Sequence, residues 1–153
     1  MELRAAGLQD EKFLYELYAS TREQELQAWG WDEAARSMFI EMQWRAQRAS
    51  YLAYYPGAED FIIWLGEERA GRLYVSRCAD RIVLVDIALL PRHCNKGLGS
   101  RLLADLQEEA ARTRLPVQLS VRMDNRAKHW YERMSFTATE EDGLYVRMEW
   151  TMS

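Results

Sequence analysis

The sequence predicts one α+β domain built on a mixed sheet of about seven strands, in the element order β-α-α-β-β-β-α-β-α-β-β. Three observations predict it. Residues 60–90 are dense in Ile, Val, Leu and aromatic side chains and are interrupted only by short turns. Helical periodicity occurs both before and after that stretch, and the C-terminal end reads as a hairpin. A chain of 153 residues is the size of one domain, and it can bury a core without help from metals or disulfides.

Each element has its own signal. Residues 1–6 alternate Leu3 and Ala5 with polar neighbours, an opening strand. Phe13, Leu14, Leu17 and Tyr18 recur at helical spacing, predicting a first helix from Leu8 or Asp10 to about residue 21. The segment 27–32 (QAWGWD) breaks that pattern, with Gly30 as the breaker and Asp32 as the N-cap of a second helix over 33–51. Phe39, Met42, Ala46 and Ala49 mark its apolar face, and Pro56-Gly57 ends it. The runs 60–65, 71–77 and 81–90 are separated by residues 66–69 and 78–80, so they form an antiparallel meander. After Pro91 the period changes: Leu98, Leu102, Leu103, Leu106 and Ala110 define a helix over 97–112. A strand at 117–121 and a short helix at 125–134 follow. A hairpin of 136–140 and 144–150, turning at Asp142-Gly143, closes the chain.

Composition narrows the function. A net charge of −4 argues against nucleic acid as a partner. The longest apolar run, 82–90, contains Asp86 and is too short to cross a bilayer. The first residues lack the basic head and apolar body of a secretory signal. No membrane partner is expected, and a cytoplasmic location is. Cys78 and Cys94 form no disulfide or zinc pattern, and His93 and His129 are too far apart for a helical metal pair, so no metal is expected. Trp29, Trp31, Trp44, Tyr51, Tyr54 and Tyr55 gather in the first third. Such aromatics fill a core or wall a pocket.

The segment 87–103 (IALLPRHCNKGLGSRLL) carries the strongest chemical signal. A strand ends, a loop follows, and a helix begins near Gly97. The first turn of a helix offers amides with no intrahelical acceptor, and with the helix dipole they suit a phosphate. Gly97 and Gly99 let a bulky anion approach the main chain, and Lys96, Arg101 and Arg92 add positive charge. The loop is not a dinucleotide fingerprint, because Leu102 stands where a third glycine belongs, and no P-loop motif occurs anywhere in the chain. From the loop alone, the glycines serve either an anion or a tight strand-to-helix turn.

Here the sequence resembles the GNAT superfamily of N-acetyltransferases. Cys94-Asn95-Lys96-Gly97-Leu98-Gly99 is similar to that family's acetyl-CoA signature, [Arg/Gln]-x-x-Gly-x-[Gly/Ala], with Cys94 at the position where Arg or Gln is usual. Residues 125–136 (NRAKHWYERMSF) resemble its N-x-A-x-x-[apolar]-Y-E-[basic]-x-G-F segment, with Ser135 in place of the usual Gly. The element order agrees as well.

The resemblance implies a sheet that splays between its fourth and fifth strands, here 81–90 and 117–121, with acetyl-CoA lying in the opening. The main chain of Ala88, Leu89 and Leu90 would bond the pantetheine arm as an added strand, and an amide near Leu89 would polarise the thioester carbonyl. Cys94, Asn95, Lys96, Gly97, Leu98, Gly99 and Ser100 would cradle the diphosphate. Asn125 would touch the pantetheine or cap the helix that follows it. Tyr131 would be the acid that protonates the departing thiolate, a task suited to a phenol. The base is either Asp86, the only carboxylate within the fourth strand, or a water chain. Ser120 stands near the middle of the fifth strand, where some family members carry an acid. Trp29, Trp31, Phe39, Gln43 and Tyr145 are candidates for the acceptor's walls, with Glu25 or Glu41 facing its ammonium group. The implied activity is acetyl transfer from acetyl-CoA to a primary amine by direct attack, with no metal. The alternatives are a non-catalytic acyl-CoA-binding or regulatory module, or a partner-binding domain. The resemblance also admits a homodimer.

Overall fold

The computed structural model describes residues 1–152. The side chains of Gln24 and Glu25 lie outside the described residues, and with them the expectation for Glu25. The elements are β1 (Glu2–Ala5), α1 (Glu11–Gln27), α2 (Glu33–Tyr54), β2 (Glu59–Leu65), β3 (Glu68–Arg77), β4 (Ile82–Leu89), α3 (Leu98–Thr113), β5 (Val117–Arg122), α4 (Ala127–Arg133), β6 (Thr137–Glu141) and β7 (Tyr145–Trp150), with 3₁₀ turns at Leu8–Asp10 and Pro91–His93. This is the predicted order. The strands form a seven-stranded mixed sheet in the spatial order β1-β2-β3-β4-β5-β7-β6, in which β4 and β5 run parallel. The chain divides into two compact units: Met1–Tyr74 with Asp86–Cys94, and Val75–Val85 with the chain from Asn95 onward.

In the first unit, Leu14, Leu17 and Leu26 of α1 are buried, as are Ile62 and Ile63 of β2. The helix α1 continues six residues past the predicted end, because residues 22–27 are good helix formers and no breaker intervenes before Gly30, which adopts φ +70°. Asp32 caps α2 as expected, accepting from the Ala35 amide at 2.7 Å. The period of α2 agrees with the expectation and its phase does not. Met42, Ala46 and Ala49 are exposed, and the covered side runs through Ile40, Trp44, Arg48 and Tyr51. Long amphipathic side chains do this covering. Trp44 meets the Tyr15 ring edge-on at 5.3 Å, and Arg48 lies over Trp44 at 4.7 Å and pairs with Glu11 at 3.0 Å. The turn between β2 and β3 is only Gly66-Glu67, so β3 begins three residues earlier than predicted. Gly66 takes φ +61°, the sign a type II′ hairpin needs at that position.

In the second unit, α3 buries Leu102, Leu103, Leu106 and Ala110, and the inward residues of β5, Val117, Leu119 and Val121, alternate with outward ones. β5 pairs along its whole length with β7, from Val117↔Trp150 to Arg122↔Tyr145. Its ladder to β4 is short: among the described residues it joins Ile82 to Val117 and Val83 to Gln118. β6 is fully exposed at the sheet's edge and carries a register shift between Ala138 and Glu140. Its acidic and threonine side chains discourage pairing with other chains.

Candidate active site

The second unit supplies the start of α3. Gly97 is the N-cap at φ +81°, and no side chain caps the helix there. A Cβ placed on Gly97 would meet no heavy atom within 4 Å, so the space above this residue is open and its backbone angle is what favours glycine. Asn95 is also left-handed, at φ +61°. The Arg101 amide makes the first turn's bond, to Gly97 O at 3.0 Å. Lys96 and Arg101 are exposed, and neither forms an ion pair among the described residues. The Ser100 hydroxyl accepts from the Trp130 indole N–H at 2.9 Å, which ties the first turn of α3 to α4.

Tyr131 sits on α4, buried to 8% exposure. Its ring lies 4.9 Å from that of Trp130 and 5.8 Å from that of Phe136. The Phe136 amide donates to Tyr131 O and the Ser135 amide to Glu132 O, each at 3.0 Å. This is a Schellman end to α4, with Ser135 at φ +72° in the left-handed position that usually belongs to glycine. Asn125 caps α4, its side-chain carbonyl accepting from the Ala127 amide at 2.9 Å. That oxygen is therefore committed to the helix. Ser120 is exposed on β5 and lines an open pocket of about 450 Å³ together with Glu140, Glu141, Asp142, Tyr145 and Arg147.

The first unit holds Ala88, Leu89, Leu90, Cys94 and Asp86. The Leu90 amide donates to Ala70 O at 2.9 Å, and Leu90 O accepts from the His93 amide at 2.8 Å. The main-chain donor of Leu90 is thus committed to Ala70 of β3, while its carbonyl oxygen keeps a second lone pair. The Cys94 thiol points back to Leu89 O at 3.6 Å. A Cβ on Gly71 would sit 2.2 Å from Ala88 O and 3.1 Å from Leu89 Cα, so glycine is what lets β3 pass this part of β4. Arg92 is paired with Glu68.

Asp86 has company that the sequence did not disclose. Arg72, 7% exposed, makes a two-pronged bond to Asp60 at 2.8 and 2.9 Å, and its Nη1 lies 3.8 Å from Asp86 Oδ2. The Arg72 guanidinium stands 4.6 Å from the Tyr74 ring and 5.8 Å from the Tyr51 ring. Burial pushes the Asp86 carboxyl above its ordinary range; Arg72 opposes that shift and Asp60 adds to it. The Tyr51 phenol is likewise raised, first by burial and then by the Asp86 charge. Arg72 escaped sequence reading because its partners are set by strand register. The one available signal was a charged residue at an inward position of a strand otherwise rich in apolar side chains.

Of the acceptor-wall candidates, Trp29, Trp31 and Phe39 come together, with ring centroids 5.2–6.0 Å apart. Glu41 is exposed and paired with Arg45 at 2.7 Å. Tyr145 belongs to the second unit, beside Ser120. Among the described residues no group of His, Cys, Asp and Glu is arranged to hold a metal, and no helix is long and apolar enough to cross a membrane.

A model of the acetyltransferase (GNAT) family matches residues 12–136. The chain is similar in fold to the PaiA N-acetyltransferase of Thermoplasma acidophilum in complex with coenzyme A, with a TM-score of 0.71, 16% identity, and 99% of this chain and 98% of that one covered. It is similar to an acetyltransferase of Thermus thermophilus (TM-score 0.70, 16% identity, 99% and 96% covered). It is also similar to the ribosomal-protein-S18-alanine N-acetyltransferase of Escherichia coli (TM-score 0.63, 19% identity, 99% and 94% covered). No curated protein sequence matches it.

Proposed function

Since the chain belongs to the acetyltransferase (GNAT) family, we propose that it transfers the acetyl group of acetyl-CoA to a primary amine by direct attack. The observation that carries this reading is the start of α3. Its N-cap is a left-handed glycine under open space, no side chain occupies the cap, and two cations flank it. First-turn amides of such a helix bind a diphosphate without further help. A similar fold crystallised in complex with coenzyme A supports the same assignment.

On this reading Asn95, Lys96, Gly97, Leu98, Gly99 and Ser100 hold the diphosphate, with Cys94 at the loop's entrance. Ala88 and Leu89 orient the pantetheine arm by their main chain, and Asn125 adds its side-chain amide. Such an arm would lie along β4 as an added strand. Bound acetyl-CoA supplies an activated acyl group and a thiolate leaving group. The chain's own part is positioning and proton transfer. Asp86 takes a proton from the amine, directly or through water, and the Tyr131 hydroxyl gives one to the departing sulfur. The acceptor is a molecule bearing a free primary amine, small or peptidic.

Calorimetry with acetyl-CoA and a free-CoA assay over an amine panel test the reading; no binding of acetyl-CoA would overturn it. Tyr131→Phe is expected to bind acetyl-CoA like the parent while its transfer rate falls about 100-fold, the usual contribution of a positioned acid. A parent-like rate in that variant removes Tyr131 from the mechanism.

A further inference from the structure

Asp86 lies within a cluster of polar and charged groups of the first unit. Four groups face it or act on it. Arg72 reaches it from β3 at 3.8 Å. Asp60 of β2 acts on it at longer range, the Ile87 amide of its own strand hydrogen-bonds to it, and the Tyr51 phenol of α2 feels its charge. Arg72 is the only cation in that group. It is buried, held by both prongs of Asp60 at 2.8 and 2.9 Å, and flanked by the Tyr51 and Tyr74 rings, which are themselves 5.4 Å apart. A guanidinium so held cannot swing freely toward Asp86, so the carboxylate receives only a part of its charge. One cation is shared, unequally, between two acids.

We propose that Arg72 is a positioning residue for the reaction and that Asp60, by competing for it, sets the pH at which Asp86 becomes able to accept the amine's proton. This rests on the reading of Asp86 as the base. The device has a simple logic. A carboxylate fully paired with arginine is too weak a base to take a proton from an ammonium, whereas one buried without any cation stays protonated and takes none. Dividing the guanidinium between Asp60 and Asp86 holds Asp86 between those limits. The neutral Tyr51 phenol closes the cluster beside it, adding no further charge.

The sign of each perturbation follows. Asp86 acts as the carboxylate, so kcat/KM falls as pH drops through its pKa. Asp60→Asn removes a negative charge and releases Arg72 toward Asp86, so the acid limb moves to lower pH. Arg72→Gln removes the cation, so the limb moves to higher pH. A shift of about one pH unit is expected in each direction for a carboxylate gaining or losing an arginine neighbour. Arg72→Lys keeps the charge and restores most of the limb's position.

The experiment is the kcat/KM profile against pH, with acetyl-CoA and the best amine of the panel, for the parent protein, Asp60→Asn, Arg72→Gln, Arg72→Lys and Asp86→Asn. Shifts of opposite sign in Asp60→Asn and Arg72→Gln, with the limb lost in Asp86→Asn, support the proposal; a residue that only stabilised the fold would lower the rate at every pH. Asp60→Asn, close to isosteric, carries the test alone if Arg72→Gln does not fold. If Asp86→Asn abolishes the limb but the other variants leave it in place, the role of Arg72 and Asp60 is overturned while Asp86 stands as the base. If the limb persists in Asp86→Asn, the base assignment fails and this inference fails with it.

Discussion

Single residues show where the sequence departs from its family and what the departure costs. Ser135 occupies the left-handed C′ position of α4, at φ +72°, where the family motif has glycine. A serine there crowds its Cβ against the neighbouring carbonyl, a cost of about 1 kcal/mol. Ser135→Gly is therefore expected to stabilise the protein by about 1 kcal/mol and raise Tm by about 3 °C, read from thermal unfolding. An unchanged or lower Tm would show that the serine makes a compensating contact. Asp32 was legible in the sequence because its signal is local: a cap before an apolar run. Asp60 and Arg72 were not. They lie on different strands, and only the register of the sheet brings one to the other.

Among the elements, α3 was the most legible and α2 the least. The leucines of α3 recur without a gap, so period and phase are read together. The covered side of α2 is made of Trp44, Arg48 and Tyr51, whose rings and aliphatic stem pack although each carries a polar end. A reading that sorts residues into apolar and polar assigns such a helix to the neighbouring stripe. The β3–β4 pair shows a different kind of information. Gly71 looked like the start of a strand, and it is a point where β4's main chain leaves no room for a Cβ. Gly71→Ala would place a methyl group 2.2 Å from Ala88 O, so main chain rather than a flexible side chain must yield. The expected loss is about 1–3 kcal/mol, the usual range for overpacking, measured by denaturant unfolding. The same variant is expected to bind acetyl-CoA more weakly, because residues 88 and 89 move; parent-like affinity would detach that part of β4 from the cofactor.

At the scale of the whole molecule, the order of elements was readable because most period changes, from helix to strand and back, are marked by proline, glycine or a charged turn, the passage from α4 to β6 through Met134-Ser135-Phe136 excepted. Agreement with folds only 16–19% identical shows how little of that order depends on particular side chains. The two compact units were not readable. Both β3 and β4 begin in one unit and end in the other, so the division follows main-chain contacts and no linker marks it. We expect the chain to unfold as one domain, with a single calorimetric transition whose van't Hoff and calorimetric enthalpies agree. Two separable transitions would assign each unit its own stability.

The hydrogen bond from the Trp130 indole to Ser100 joins the two stretches of sequence that resemble the family motifs. One belongs to the loop that opens α3, the other to the helix that carries the tyrosine. A replacement at position 130 removes a tie to the first turn of α3, thirty residues away in sequence, and a replacement at position 100 loosens the ring beside Tyr131. On the proposed reading, grip on the cofactor and delivery of the proton would share one hinge pin.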